Sequence, residues 1–119
     1  MKNVKDKVYK ALSKKFENVT DSYPENFADL PAVQLTEEEN KVYEHTKQGE
    51  QKAYIRYRID IWNNKSTSEA ALAADEAIAE LGLARTNCQD AADPSKMKHK
   101  VMRYEGIIDM HSENVYWTN

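Results

Sequence analysis

The stretch "YIRYRIDIWNN" at residues 54–64 constrains the fold more than any other part of the chain. Ile55, Tyr57, Ile59 and Ile61 alternate with Arg56, Arg58 and Asp60, and Tyr54 and Trp62 close the ends of the polar row. Period-two alternation of β-branched and aromatic residues is the signature of a strand with one covered face. A strand of that kind calls for an antiparallel sheet covered on one side. Asn63 and Asn64 tolerate turn geometry and end the run.

The elements that cover the apolar face are legible on either side of it. Val4, Val8, Ala11, Leu12 and Phe16 recur at three- and four-residue spacing, which is one apolar stripe of a helix. Lys5, Lys7, Lys10 and Lys14 fall off that stripe, and its few large residues suit packing on a sheet better than a membrane surface or RNA. A second helix is expected over the alanine-rich run that ends in "EAIAELG", with Ser66 and Glu69 spaced as a capping box and Gly82 placed to stop it. Leu72, Ile78 and Leu81 supply its larger apolar groups, and alanine elsewhere allows a close approach to the sheet.

The remaining segments fill in the sheet. "ENVTDSYPENFADLPAVQL" carries Pro24 and Pro31 and reads as a loop ending in a short strand at residues 32–36. "TEEEN" reads as an acidic turn, and residues 40–50 as either a strand end or a loop, with Gly49 at a turn. "LARTNCQ" reads as a strand and "DAADPSK" as a loop. "KVMRYEGIID" is a second strong strand, with Met102, Tyr104 and Ile108 set against Arg103 and Glu105. "HSEN" turns the chain, and "VYWT" adds a short last strand. The expected fold is α+β, a mostly antiparallel sheet of about four strands with two helices on one face, in a single domain over residues 1–119.

Charge and composition narrow the function classes. Formal net charge is −3, so no general affinity for nucleic acid or an acidic membrane follows. No apolar run reaches the roughly 20 residues needed to span a bilayer, and the basic start has no continuous apolar segment of a secretory signal. By blocks, residues 1–16 carry +5, 17–50 carry −7, 51–68 carry +3, 69–94 carry −5 and 95–119 carry +1. Such alternation lets identical subunits attract one another side by side, and it is equally what solvated helices and loops display.

Catalytic chemistry finds little to stand on. His45, His99, His111 and Cys88 are not spaced as metal ligands, so neither a metal nor a cofactor is expected. Cys88 is the single cysteine and, in a strand, is expected to be half-buried packing. Three glycines leave no material for a phosphate-cradling loop. Glu37–Glu39 point different ways and read as a solvated turn. Arg56, Arg58 and Arg103 beside Tyr54 and Trp62 resemble a face for single-stranded nucleic acid, but Asp60 and Glu105 interleave with them, which favours cross-strand ion pairs. Arg56, Arg58, Trp62 and Arg103 are therefore candidate partner-binding residues.

The ordered set "YP-N---LP-V", "IRYRIDIW", "S--EA---ADEAIAELGLARTN" and "HKVMRYEGIID" resembles the tail-completion, or head–tail joining, proteins of long-tailed bacteriophages and prophages. The resemblance covers about residues 23–112 and departs at Leu83, where an aromatic is expected. It implies a non-enzymatic virion protein: a monomer when free, a six-fold ring on assembly, set at the head-proximal end of the tail tube. The implied partners are further copies of itself, the tail tube protein and the head connector, with no membrane and no sequence-specific nucleic acid. The implied location is the bacterial cytoplasm before assembly and the virion tail afterwards. The competing class is a host-encoded α+β protein-binding or regulatory domain.

Overall fold

The computed structural model describes residues 1–117. The chain runs α1 (Lys5–Ser13), β1 (Asn18–Thr20), β2 (Ala32–Thr46), β3 (Gly49–Asn63), α2 (Ser68–Ala79), β4 (Ala84–Ala91), β5 (Lys98–Asp109) and β6 (Val115–Tyr116). The strands form one six-stranded sheet in the order β1-β2-β3-β5-β4, with β6 also on β5. β1 runs parallel to β2 and the other pairings are antiparallel. The class is α+β, with six strands in place of the expected four or so. β1 is a three-residue piece inside the expected loop, and β6 is the short last strand expected at "VYWT". Thr118, part of the expected last strand, lies outside the described residues.

β3 is the centre of the sheet. Ile55, Tyr57, Ile59 and Ile61 are each 0% exposed and form one face, as their alternation requires. Leu35 of β2 and Met102 of β5 flank Ile59, and Tyr104 lies beside Tyr57. Val4, Val8, Leu12 and Phe16 of the α1 stripe join this core, with Ala70, Ala71, Ala74 and Ile78 of α2. Two buried tyrosines tie the layers together: the Val4 backbone N–H donates to the Tyr57 hydroxyl at 2.9 Å, and the Tyr104 hydroxyl donates to Asp75 at 2.7 Å. Burial pushes both phenols well above their ordinary range, so both stay neutral at any working pH.

Several expectations need correction. "TEEEN" is no turn: it lies inside β2, which continues unbroken to Thr46 and returns through Lys47–Gln48 into Gly49 (φ +103°). Glutamate is a poor strand former, but Arg56 on the adjacent β3 and Arg103 on β5 beyond it reach Glu38, and Arg56 reaches Glu39. Glu38 is the extra residue of a β-bulge between Glu37 and Glu39. The capping box does not form: α2 starts at Ser68, no side chain caps it through Thr67, and Ser66 Oγ instead accepts the Ser68 N–H.

Leu72 does not pack on the sheet and is 70% exposed. The close approach is made by small residues, Ala70, Ala71, Ala74 and Ala77, around the fully buried Ile78. Cys88 is exposed rather than half-buried, because β4 is an outer strand. Gly82 behaves as expected: it takes φ +85° just past α2, and a Cβ there would lie 2.2 Å from the Val115 carbonyl oxygen. Leu83, the departure from the family pattern, is 5% exposed and sits against Gly106.

Candidate functional site

Alternation sends the other half of β3 to the face away from the helices. Arg56, Arg58, Asp60 and Trp62 meet Glu105, Arg103, Val101 and His99 of β5 across the ladder. The structure thus gathers all four sequence-predicted residues, Arg56, Arg58, Trp62 and Arg103, on one sheet face.

The arginines are not free. Arg56 Nε and Arg103 Nε both donate to the same Glu38 oxygen, at 3.1 and 3.0 Å. The Glu38 bulge explains how: the extra residue carries one carboxylate in between two guanidiniums. Arg58 donates twice to Asp60, at 2.8 and 2.9 Å, a planar two-point pairing. That pairing holds its guanidinium even more firmly charged than usual. Tyr54 donates to Glu105 at the far side of Arg56. Arg56 and Arg103 thus form the cross-strand ion pairs that the sequence favours, on Glu38, while Arg58 pairs with Asp60 along its own strand.

Beyond Arg58 the face closes over. Trp62 is 2% exposed. It is covered by Tyr23 and Phe27 of the β1–β2 connection, with ring centroids at 5.2 and 6.2 Å. On its other side the His99 ring stacks at 4.6 Å and 7°. A direct partner contact through Trp62 is therefore blocked by the chain's own residues.

A polar cluster that the sequence reading missed sits beside this stack. His99 Nε2 lies 2.7 Å from Asp60 Oδ2, and His99 Nδ1 lies 3.8 Å from Asp93 Oδ1. All three side chains are over nine-tenths buried. The Tyr23 hydroxyl donates to Asp93 at 3.1 Å, and the Ser95 backbone N–H donates to it at 3.0 Å. Burial raises the Asp93 carboxyl, but hydrogen bonds from Ser95 and Tyr23 outweigh it and bring it down to about 2. The cluster ties β3, β5, the β4–β5 loop and the β1–β2 connection at one point.

A shallow trough of about 320 Å³ runs past it, lined in part by Gln34, Glu38, Arg58 and Asp93. A His–Asp pair at the edge of a trough invites a general acid–base reading. The geometry argues otherwise: His99 Nδ1 is sealed from solvent with no hydrogen-bond partner, and Nε2 is committed to Asp60. Among the described residues, no three His, Cys, Asp or Glu side chains are grouped to hold a metal ion.

The one sequence signal for His99 was its parity. It shares the alternation of Arg103 and Val101, one residue before the point where the strand was expected to start. Asp93 and Tyr23 come from loops and carried no signal.

The Asp93 value sets a pH dependence. A carboxyl held below its ordinary 3.8 stabilises the fold fully above about pH 4, and this is lost as pH falls toward 2. Asp93→Asn is expected to lower the urea midpoint at pH 7 and to differ little from the parent chain near pH 2. An unchanged gap at both pH values would show that Asp93 stabilises by shape and not by charge.

Compared with known proteins, the sequence matches no family model and no curated protein.

Proposed function

We propose that this chain is a structural protein of a long-tailed phage or prophage tail, forming a ring at the head-proximal end that terminates the tube and joins it to the head connector. One observation carries the reading furthest. Three of the four stretches on which the resemblance rests fold as one contiguous unit, β3–α2–β4–β5, with "IRYRIDIW" and "MRYEGIID" as neighbouring central strands, while "YP-N---LP-V" lies in the β1–β2 connection and the start of β2.

The electrostatics suit that role. The polar face is balanced within the chain: Arg56, Arg58 and Arg103 answer Glu38, Glu39 and Asp60. A surface meant for a phosphate backbone would leave its arginines unneutralised. Charge is instead segregated between elements, with the lysines of α1 at one place and the acids of β2 at another. Exposed pairs between such patches contribute only about 0–1 kcal/mol each, so a ring would need a template that presents many contacts at once. The chain would accumulate in the host cytoplasm and order itself on the finished tail tube.

Arg56 and Arg103 keep about a third of their side-chain surface exposed and stay in place as partner contacts. Reversing Arg58 would strand the buried Asp60, so it makes a poor probe of assembly. The decisive test is loss of the gene in the phage that carries it. The expected result is full heads and separate tails of irregular length in negative stain, with infectivity restored by the purified chain. Normal particles without the gene would overturn the reading in favour of a host binding or regulatory role.

A further inference from the structure

The β1–β2 connection is loosely tied to the body it crosses. Among the described residues, no backbone hydrogen bond joins residues 22–30 to another backbone group. Side chains supply the ties instead. Asn18 Nδ2 donates to the Asp29 carbonyl at 3.0 Å, the Thr20 hydroxyl to the Ser22 carbonyl at 2.7 Å, and the Tyr23 hydroxyl to Asp93 at 3.1 Å. Within residues 22–30 only Pro24 is buried, and none belongs to the main hydrophobic core. A segment with so few backbone bonds and so little burial opens at a lower free energy than the sheet beneath it.

What this segment covers is imperfectly satisfied. Tyr23 and Phe27 pack their rings on Trp62, which is 2% exposed. Under them, Trp62 Nε1 and His99 Nδ1 are both sealed from solvent with no hydrogen-bond partner. Such atoms are rare in folded proteins, because each has given up water and gained nothing in return. Tyr23 bears on both. Its ring lies against Trp62, and its hydroxyl bonds Asp93 Oδ2, while Asp93 Oδ1 is 3.8 Å from His99 Nδ1. Tyr23, Trp62, Asp93 and His99 also line the same trough, beside Arg58. Lifting Tyr23 and Phe27 lets water in to the two dry atoms and returns conformational freedom to the segment. Both gains oppose the apolar contact that holds it shut.

We propose that residues 22–30 are a strap that opens reversibly as a unit while the sheet stays folded, and that it gates Trp62. Closed, the strap hides the indole behind the chain's own aromatic rings. Open, it presents Trp62 and the adjoining end of the Arg58 trough together. The partner contact that the sequence pattern assigns to Trp62 then exists only in the open form. The opening is a property of the isolated chain, so it does not depend on the tail reading.

Hydrogen exchange followed by NMR measures the opening. The chain has two tryptophans, and Trp117→Phe identifies the Trp62 indole signal. Corrected for intrinsic rates, the Trp62 indole N–H is expected to have an opening constant at least about a hundredfold larger than the Ile59 backbone amide, which is released by global unfolding. Urea below the unfolding transition should accelerate the Ile59 amide steeply and the Trp62 indole little, because a local opening exposes little surface. Tyr23→Phe keeps the ring, removes its bond to Asp93, and should raise the Trp62 opening constant about tenfold. Phe27→Ala removes a covering ring instead and should raise it at least as much. Equal opening constants for the two protons, a shared steep urea dependence, or an unchanged Trp62 rate in either variant would overturn the proposal.

Discussion

Ile59→Ala is expected to lower the free energy of unfolding by about 2–5 kcal/mol, the range for truncating a large aliphatic side chain in a packed core. Ile59 has no exposed surface and lies between Leu35 and Met102 under the helical layer. Nothing around it can collapse easily, because its neighbours are strand residues held in register on both sides. The same truncation at Leu72 removes a side chain that is 70% exposed, and is expected to fall within about 0.5 kcal/mol. Arg56→Ala should lie between the two, since its guanidinium shares Glu38 with Arg103. Urea denaturation of the three variants checks the order, and a larger loss at Arg56 than at Ile59 would reverse the assignment of the two sheet faces.

Asp60→Ala is expected to cost about 3–5 kcal/mol, the range for removing one member of a buried charge pair. Asp60 is 3% exposed and receives two hydrogen bonds from Arg58 and one contact from His99. Arg58 keeps about a third of its side chain in water and can rehydrate, which favours the lower end. His99 is 8% exposed and cannot. A double-mutant cycle with His99→Gln separates the two contributions, and a coupling near zero would show that the imidazole stabilises only by stacking on Trp62. A total loss below about 1 kcal/mol would mean that the cluster adds nothing to stability.

What could be read from the chain was what repeats locally. The alternation in β3 and β5 and the stripe of α1 each state their covered face within a few residues, and the structure places those faces where the patterns put them. β2 was hidden because its second half is built from residues that dislike strands. Only Arg56 and Arg103, brought alongside by folding, make Glu38 and Glu39 comfortable there. Leu72 misled for the opposite reason: hydrophobicity pointed inward, while the spacing of the alanines turned it out. The Asp60–His99–Asp93 cluster joins a strand, a second strand and a loop, so no window of sequence contains it.

The two-residue turn at Lys47–Gln48 has a kinetic consequence. β2 and β3 are adjacent in sequence and can zip from that turn outward, whereas β5 reaches β3 only after α2 and β4 have been laid down. Early pairing from a short closed loop costs the least chain entropy. While it waits, β3 holds a bare hydrogen-bonding edge with four large apolar side chains on one face. That is the segment of the chain most exposed to wrong partners during folding. Arg56, Arg58 and Asp60 interrupt it at every second position, so a sheet stacked from many copies would have to bury their charges. Besides bracing the finished sheet, these three residues are placed as gatekeepers on a strand whose β5-side edge is filled from the far end of the chain.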